Sequence, residues 1–270
     1  MYYDNKPPGS EAGLLEGVNY SASQIDPSEF KSVFAQAPNL VEVEEFTANN
    51  QKKMVLLLQS WAQAEREITG NNTFVLEVID GNKVYYCRGF DGMRQLVEDR
   101  NKRWGSDGTR AKIMKKWQSE SPYAQEQDAW FSTHPNRVAN HIFWHNKMLS
   151  YIPEGINLSE VLPTLKFRRH VMIDVNSGPE SRQKFQEQII LGIENDKKLK
   201  NNYIRFMYSP WYGGPDNVDF MMIVLDESRE KYFEGLAERN KKRDNDDDWK
   251  LIQSENIANW IDEEHLRIHY

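Results

Sequence analysis

The stretch Val138–Trp144, VANHIFW, decides the fold, because it predicts the closing strand of a unit that occurs twice in the chain. Its valine, isoleucine, phenylalanine and tryptophan residues are typical of a strand. A matching stretch, Leu266–Tyr270, stands at the end of the second half. With this strand, each half has the order β-α-β-β-α-β, which is the order of a ferredoxin-like unit.

Five predicted elements precede that strand in the first half. The segment Leu40–Phe46 alternates apolar and polar residues at period two, which is the pattern of a half-buried strand. The turn Gly81-Asn82-Lys83 separates two β-branched or aromatic runs and predicts a hairpin. The five elements are strands at 40–46, 74–80 and 84–90 and helices at about 50–67 and 91–103.

The second half repeats this order with strands at 170–175, 203–208 and 218–225 and helices at 179–199 and 228–239. Residue identities support the match, since Asp99-Arg100-Asn101-Lys102 resembles Glu238-Arg239-Asn240-Lys241. Further matches join Gln118-Ser119-Glu120 to Gln253-Ser254-Glu255 and Trp130 to Trp260. The spacing between matched residues shrinks in order along the chain, as deletions in a second copy would cause. We therefore predict an internal duplication.

The predicted fold class is α+β, with two ferredoxin-like units that each form a four-stranded antiparallel sheet. Both helices of such a unit cover one face of its sheet, and the strands here carry apolar residues on both faces. We therefore expect the two sheets to face each other as a fused α/β barrel. The predicted parts are an N-terminal arm at 1–38, a first unit at 39–145, a linker at 146–168 and a second unit at 169–270.

Composition narrows the classes of function. The 270 residues carry a formal net charge of -7, which argues against a nucleic-acid partner because such binding depends on clustered Lys and Arg. Cys87 is the only cysteine, so we expect no disulfide within the chain, and a buried inert thiol rather than a nucleophile. No apolar run approaches the ~20 residues of a membrane span, and no signal-peptide pattern opens the sequence. We expect a cytoplasmic protein with no membrane partner.

A chain with two β-α-β-β-α-β units resembles the dimeric α/β-barrel superfamily in its fused form. That superfamily includes antibiotic-biosynthesis monooxygenases, small stress-responsive barrel proteins, NIPSNAP proteins and the haem-binding chlorite dismutase group. The resemblance covers residues 40–145 and 169–270 and rests on topology, so no catalytic residue is carried over. It implies a small-molecule ligand and a homo-oligomer, and makes an oxidoreductase, either cofactor-independent or haem-dependent, one expectation.

Arg205 is a charged residue inside an apolar strand, and burying a charge is costly unless the charge is paired or used. It could hold an anionic ligand, or it could form a salt bridge with Asp174 or Asp219 on neighbouring strands. Glu77 and Arg88 are likewise charged residues inside apolar strands, on the first hairpin. They could neutralise one another across the strands, or Glu77 could act as a general base with a raised pKa and Arg88 could contact substrate.

The stretch around His141 and His145 contains the residue types best suited to ligate a metal or to transfer a proton. Two histidines four apart share a helix face and could ligate a metal, and one could be an axial ligand to haem iron. On a strand the same spacing puts them ~13 Å apart, which is too far to chelate one ion. A packed or solvated histidine pair is therefore the alternative. We take His141 as a candidate proton carrier and His145 with Trp144 as candidate cofactor-binding residues.

His170 begins the equivalent strand of the second unit and could be an acid or base, although a histidine at a strand end is often structural. The loop Trp211–Pro215 carries aromatics that could close over a ligand. We therefore expect a cavity for an apolar or aromatic compound, with Tyr86, Arg88, Trp211 and Tyr212 as substrate-binding residues and His141, His170 and Arg205 as catalytic ones. The alternatives are a haem-binding barrel, or an interaction protein with Trp104, Trp117 and Trp249 on its partner surface.

Overall fold

Eight antiparallel strands close into a barrel in the computed structural model, which describes residues 36–121, 124, 135–176, 178–212, 218–253 and 256–270. Among these residues, no helix has both the length and the apolar content that a bilayer crossing requires. Most of the predicted arm, Trp130, the Gly213–Pro215 part of the loop and the side chain of Tyr212 lie outside the described part of the chain.

The first half contains β1 (Leu40–Thr47), α1 (Gln51–Thr69), β2 (Asn72–Val78), β3 (Lys83–Phe90), α2 (Met93–Arg103), α3 (Thr109–Glu120) and β4 (Asn136–His145). The second half contains α4 (Leu158–Val161), β5 (Phe167–Val175), α5 (Pro179–Lys198), β6 (Ile204–Tyr212), β7 (Phe220–Asp226), α6 (Arg229–Asp244), α7 (Asp247–Ile252) and β8 (Ala258–His269). The α+β class is confirmed, and the closing strand predicted at Val138–Trp144 lies within β4.

The strand order around the barrel is β1-β3-β2-β8-β5-β7-β6-β4, and β4 returns to pair with β1. The first four strands are therefore neighbours in the order β4-β1-β3-β2, and the last four in the corresponding order β8-β5-β7-β6. Two junctions join these sets, since β2 pairs with β8 and β4 pairs with β6. The sheets thus meet edge to edge in one closed sheet, because closure satisfies the backbone groups that an edge strand leaves unpaired.

Local signals set the limits of the first helix. Asn50 precedes α1, and its side-chain oxygen accepts a hydrogen bond from the backbone N–H of Lys53 at 3.1 Å. Gly70 ends the helix at a φ of 69°, in the left-handed region that favours glycine. The helix is thereby held over β2 and β3, where Met54 and Val55 pack against the buried outer side chains of these strands.

Alternate residues of each strand face the barrel axis or the surrounding helices. On β2, Phe74 and Leu76 belong to the interior cluster, whereas Val75 packs with the residues of α1. On β7, Met221 and Ile223 point inward, whereas Met222 packs with Phe185, Tyr232 and other residues of the second half's outer layer. The protein therefore has one core inside the barrel and others between its wall and the helices.

A network of buried charges lies between the outer wall of the first half and its helices. The Glu65 carboxylate is 0% exposed and accepts hydrogen bonds from Arg103 at 2.9 and 3.0 Å and from the Tyr86 hydroxyl at 2.7 Å. Glu42 accepts from Arg88 at 2.6 Å and from Arg100 at 2.8 Å. Burial alone would raise the pKa of Glu65, but the hydrogen bond from Arg103 and the charges of both neighbouring arginines hold it below its usual value. The network is therefore ionised and internally paired.

The predicted pairing of Glu77 with Arg88 is wrong. Glu77 accepts hydrogen bonds from Arg267 at 3.0 Å and pairs with His269 at 2.9 Å, across the junction of β2 with β8. In the ladder between β2 and β3, Glu77 lies opposite Val84 and Arg88 lies opposite Thr73, so the two charges stand at different ends of the hairpin. These interactions tie Glu77 to the last strand and not to its own hairpin.

All three tryptophans predicted to form a partner surface have contacts within the chain, and the Arg110 guanidinium lies 5.6 Å from the ring centroid of Trp104. The Trp117 indole N–H donates to the Ser60 hydroxyl at 2.7 Å, and the Arg243 guanidinium lies 4.0 Å from the ring centroid of Trp249. Trp104 is largely exposed. Their role as partner surface remains a prediction.

Candidate functional site

A cavity of about 40 Å³ lies inside the barrel. Its wall is mostly apolar, and the polar residues that interrupt this wall are Gln36, Asn72, Cys87, Arg168, His170, Tyr208 and Tyr270. One end is closed by Leu162 and by the segment Gln36–Pro38, which precedes β1. A cavity needs at least about 10–15 Å³ to hold one water molecule, so this cavity has room for about three water-sized groups.

Arg168 brings a positive charge to this cavity. Its guanidinium carbon lies 4.7 Å from the ring centroid of Phe74, and its Nε is buried with no hydrogen-bond partner among the described residues. No described Asp or Glu lines the cavity, and Arg168 forms no ion pair with a described carboxylate. A cation–π contact compensates only part of the cost of desolvating a charge. The cavity therefore carries a cation without a counter-charge.

His170 lies on the same face of β5 as Arg168. The residue is 6% exposed, and its Nε2 is buried without a hydrogen-bond partner in the described part of the chain. Burial, together with the Arg168 charge, lowers the pKa of His170 to about 3. The imidazole is therefore neutral near pH 7, and its free nitrogen can donate or accept one hydrogen bond depending on its tautomer.

Cys87 completes the polar part of the wall as a protonated thiol. Burial raises its pKa to about 12, and the Arg168 charge only partly opposes this rise. Burial also raises the pKa of Tyr208 and Tyr270, again against the charge of Arg168. At neutral pH the cavity thus holds one cation among neutral hydrogen-bonding groups.

An open groove of about 490 Å³ lies next to this cavity. Gln36 and Ala37 line both spaces, so this short segment is the wall between them. The groove is bordered by Lys147 and Lys197, and by apolar residues of the segment after β4 and of α5. A ligand that moved the segment aside would reach the barrel interior from this groove.

His145 borders the groove as a packed ring. Its Nε2 is 2.9 Å from the Ser150 hydroxyl, and its Nδ1 is buried without a described partner. Its ring stacks on Tyr208 with centroids 4.9 Å apart. Burial, and to a lesser extent the Lys147 charge, lowers the pKa of His145 to about 4. The structure therefore places His145 as a packed, neutral ring.

His141 lies away from this cavity. Its Nε2 is 3.7 Å from Glu45, whose pKa it lowers through a hydrogen bond. Lys83 connects Glu45 to Glu264, and the Tyr85 hydroxyl donates to Glu264 at 2.7 Å. Among the described residues, no group of three or more His, Cys, Asp or Glu side chains is placed to hold a metal ion. His141 and His170 are thus separate candidates rather than one site.

Arg205 lies on the outer wall, on the opposite face of β6 from the cavity residue Phe206. The residue is 7% exposed, and its Nε and one terminal nitrogen have no hydrogen-bond partner among the described residues. The predicted salt bridge with Asp174 or Asp219 is wrong, because Arg205 pairs with neither aspartate. Asp219 instead accepts hydrogen bonds from Arg182 and from the backbone N–H of Val175, both at 2.9 Å. Arg205 therefore remains an untested candidate outside the barrel interior.

The predicted substrate-binding aromatics whose side chains are described lie on the outside of the wall. Trp144 and Trp211 meet with ring centroids 6.1 Å apart and are 40% and 63% exposed. Tyr86 and Arg88 belong to the buried charge network under α1 and α2. Among the described residues that the sequence predicted to be catalytic, cofactor-binding or substrate-binding, only His170 lines the interior cavity. Arg168 was missed because the strand that carries it was predicted to start after it.

The barrel topology has counterparts among solved structures. An anthrone oxidase-like protein aligns over 87% of this chain and 93% of its own, with a TM-score of 0.50 and 9% sequence identity. The chain has the dimeric α/β-barrel fold. At this identity the likeness concerns the fold alone, because proteins that share a fold can have unrelated functions.

Two further structures align with this dimeric α/β barrel at lower scores. A candidate monooxygenase from Lactobacillus acidophilus covers 87% of the chain and 95% of its own, with a TM-score of 0.48 and 10% identity. A candidate Dyp-type peroxidase from Shewanella oneidensis covers 87% and 93%, with a TM-score of 0.47 and 10% identity. No protein-family model matches the sequence, and no curated protein matches it.

Proposed function

We propose that this barrel binds a small molecule in the cavity beside Arg168 and His170, as a ligand-binding protein or as an enzyme of the oxidoreductase type. The observation that carries the proposal is the pair of unpaired buried nitrogens, Arg168 Nε and His170 Nε2, on one small cavity. Buried polar atoms in native proteins nearly always have partners, so an unpaired set in a cavity points to a missing ligand or water.

The ligand is an apolar or aromatic compound with one polar group. Arg168 with His170 favours the polar group, and the apolar part of the wall, which includes Phe74, Phe206 and Ile223, favours the carbon atoms next to that group. If the protein is an enzyme, His170 is the group placed to exchange a proton with the ligand. The groove outside Gln36 and Ala37 is the route by which a compound larger than the closed cavity reaches this group.

A pair of neighbouring methionines tests the proposal. Met221 lines the cavity, whereas Met222 packs on the outer face of the same strand. We expect benzoate or benzyl alcohol, titrated into protein with 13C-labelled methionine methyls, to shift the Met221 signal and leave that of Met222 nearly unchanged. If neither probe moved Met221, or both methyls moved equally, the cavity would not be the binding site.

The described residues do not fit a haem, the cofactor that the resemblance suggests. His170 faces a space of about 40 Å³, whereas ligand pockets for larger compounds measure about 300–1,000 Å³. His145 borders the larger groove, but one of its nitrogens bonds Ser150 and the other is buried. We expect no Soret band when haemin is added to the purified protein. A band that disappeared in His145→Ala would reverse this conclusion.

We also propose that the two halves arose by duplication, with the unit limits predicted from the sequence. The support is the corresponding strand order of the first and last four strands. We propose the same limits except for the start of the second unit, which we place at Phe167, the first residue of β5. A homo-oligomer and a cytoplasmic location remain predictions.

A further inference from the structure

The positive charge in the cavity restricts the class of ligand more than the apolar wall does. Arg168 is close enough to Cys87, His170, Tyr208 and Tyr270 to change the pKa of each side chain. None of these four groups is negatively charged at neutral pH, and no described carboxylate lines the space. A guanidinium held in such surroundings is stabilised by an anion that enters them.

We infer that the ligand is an organic anion whose carboxylate, or another oxyanion group of the same size, binds the Arg168 guanidinium. This inference rests on the proposed function and specifies its ligand. A carboxylate accepts two parallel hydrogen bonds from a guanidinium, which makes arginine suited to such a group. The neutral His170 ring can donate a further hydrogen bond from its unpaired Nε2 to the same group.

The size of the closed cavity restricts how the anion lies. With about 40 Å³, the cavity has room for a carboxylate but not for an aromatic ring as well. The remainder of the ligand therefore extends past Gln36 and Ala37 into the groove of about 490 Å³. Lys147 and Lys197 border this groove and give its mouth the sign of charge that attracts an anion.

Other buried arginines lack these features. Arg239 is buried between the rings of Tyr203 and Tyr232, at 4.5 and 5.8 Å, and lines none of the cavities described above. Arg205 has unpaired nitrogens but also lies outside both the cavity and the groove. Arg168 as a whole is half-buried, but its Nε is buried, and it is thus the arginine that has both an unpaired nitrogen and an adjoining cavity. Arg239 provides a matched control.

The test compares benzoate with benzyl alcohol, which carry the same ring and differ in charge. Binding is measured at pH 7.5 from the Met221 methyl signal, with Met222 as the internal reference. We expect benzoate to bind at least about tenfold more tightly than benzyl alcohol, since a charge-assisted hydrogen bond is about twice as strong as a neutral one. Arg168→Gln should reduce the preference to within about twofold, whereas Arg239→Gln should keep it.

A second variant and a second measurement distinguish the effect of the Arg168 charge from a change in structure. Arg168→Lys keeps the charge and should retain a preference for benzoate. In the wild type, bound benzoate should also raise the pKa of His170, read from its ring nitrogen signals, because the anion offsets the effect of Arg168. Equal binding of both probes in the wild type would overturn the anion inference and leave the proposed function intact. Failure of both probes to move Met221 would overturn the proposed function itself.

Discussion

Gly89 of β3 lies in contact with Pro38, and no side chain fits between them. A Cβ atom on Gly89 would lie 2.7 Å from the Cβ and 2.9 Å from the Cγ of Pro38. The Tyr208 hydroxyl also donates to the Pro38 carbonyl, at 3.5 Å. Glycine is therefore required here so that the segment before β1 can cross the end of the barrel and close the cavity.

Gly89→Ala should open the cavity. The new methyl group must displace Pro38, and the displaced segment carries Gln36 and Ala37 away from the wall that they form. Cys87 reports the change, because it is the only cysteine, is buried and lines the cavity. We expect iodoacetamide to label Cys87 at least about tenfold faster in the variant, measured by mass spectrometry under native conditions.

Gly92→Ala is the matched control for this experiment, because a Cβ atom there meets nothing within 4 Å. Its labelling rate should equal that of the wild type. If Gly89→Ala labelled no faster than this control, residues 36–38 would not be the barrier to the cavity. Benzoate should slow the labelling of the wild type if it occupies the same space.

Glu65→Gln should destabilise the protein by about 3 kcal/mol, because it removes the nearest carboxylate from the buried Arg103 guanidinium and leaves only Asp99, at 3.4 Å, to pair with it. Urea unfolding measures the change. Glu98→Gln is the control, since Glu98 pairs with Arg94 on the surface and such pairs contribute at most about 1 kcal/mol. Similar losses in both variants would contradict a special role for the buried network.

His170 should make the protein less stable as the pH falls from about 6.5. Its folded pKa is about 3, below the value near 6.5 of an unfolded histidine, so the unfolded chain binds a proton first. Stability from this residue is present above the unfolded pKa and is lost on acidification. Between pH 7 and pH 5 the loss is on the order of 1–2 kcal/mol. In His170→Gln, the fall in the free energy of unfolding between these two pH values, measured by urea unfolding, should be smaller by this amount. An unchanged slope would mean that His170 is not held neutral.

Tyr86→Phe tests a substrate role that was predicted from the sequence. In the structure its hydroxyl donates to Glu65 in the buried network, so the variant should lose about 1 kcal/mol of stability. Because Tyr86 faces away from the cavity, benzoate binding at Met221 should not change. A loss of binding without a loss of stability would instead support the predicted contact with substrate.

Local patterns in the sequence were sufficient to predict most strands. The turn at Gly81-Asn82-Lys83 and the alternation in Leu40–Phe46 depend on neighbours within a few residues, and both are found as predicted in β1, β2 and β3. The short helix after α6 was predicted only as a helical extension around Trp249, without limits. Its six residues carry too little periodic pattern to set those limits.

The candidate site depended on information that no local pattern contains. Alternation places Arg168 and His170 on one face of β5, but it does not say which face is inside. That choice follows from barrel closure, which turns Arg205 and Arg88 outward and Arg168 inward. Arg168 was also assigned to the linker, because the start of a strand is poorly defined by sequence. The cavity could therefore be located only from the pairing of distant strands.

The junction between β2 and β8 determines when the cavity can exist. Glu77 and His269 meet across it although they are 192 positions apart in the chain. Such a high contact order slows folding, because a long stretch of chain must be ordered before this contact forms. During synthesis the last strand leaves the ribosome after all the others. A ligand can therefore stabilise the barrel only after its last strand has been made.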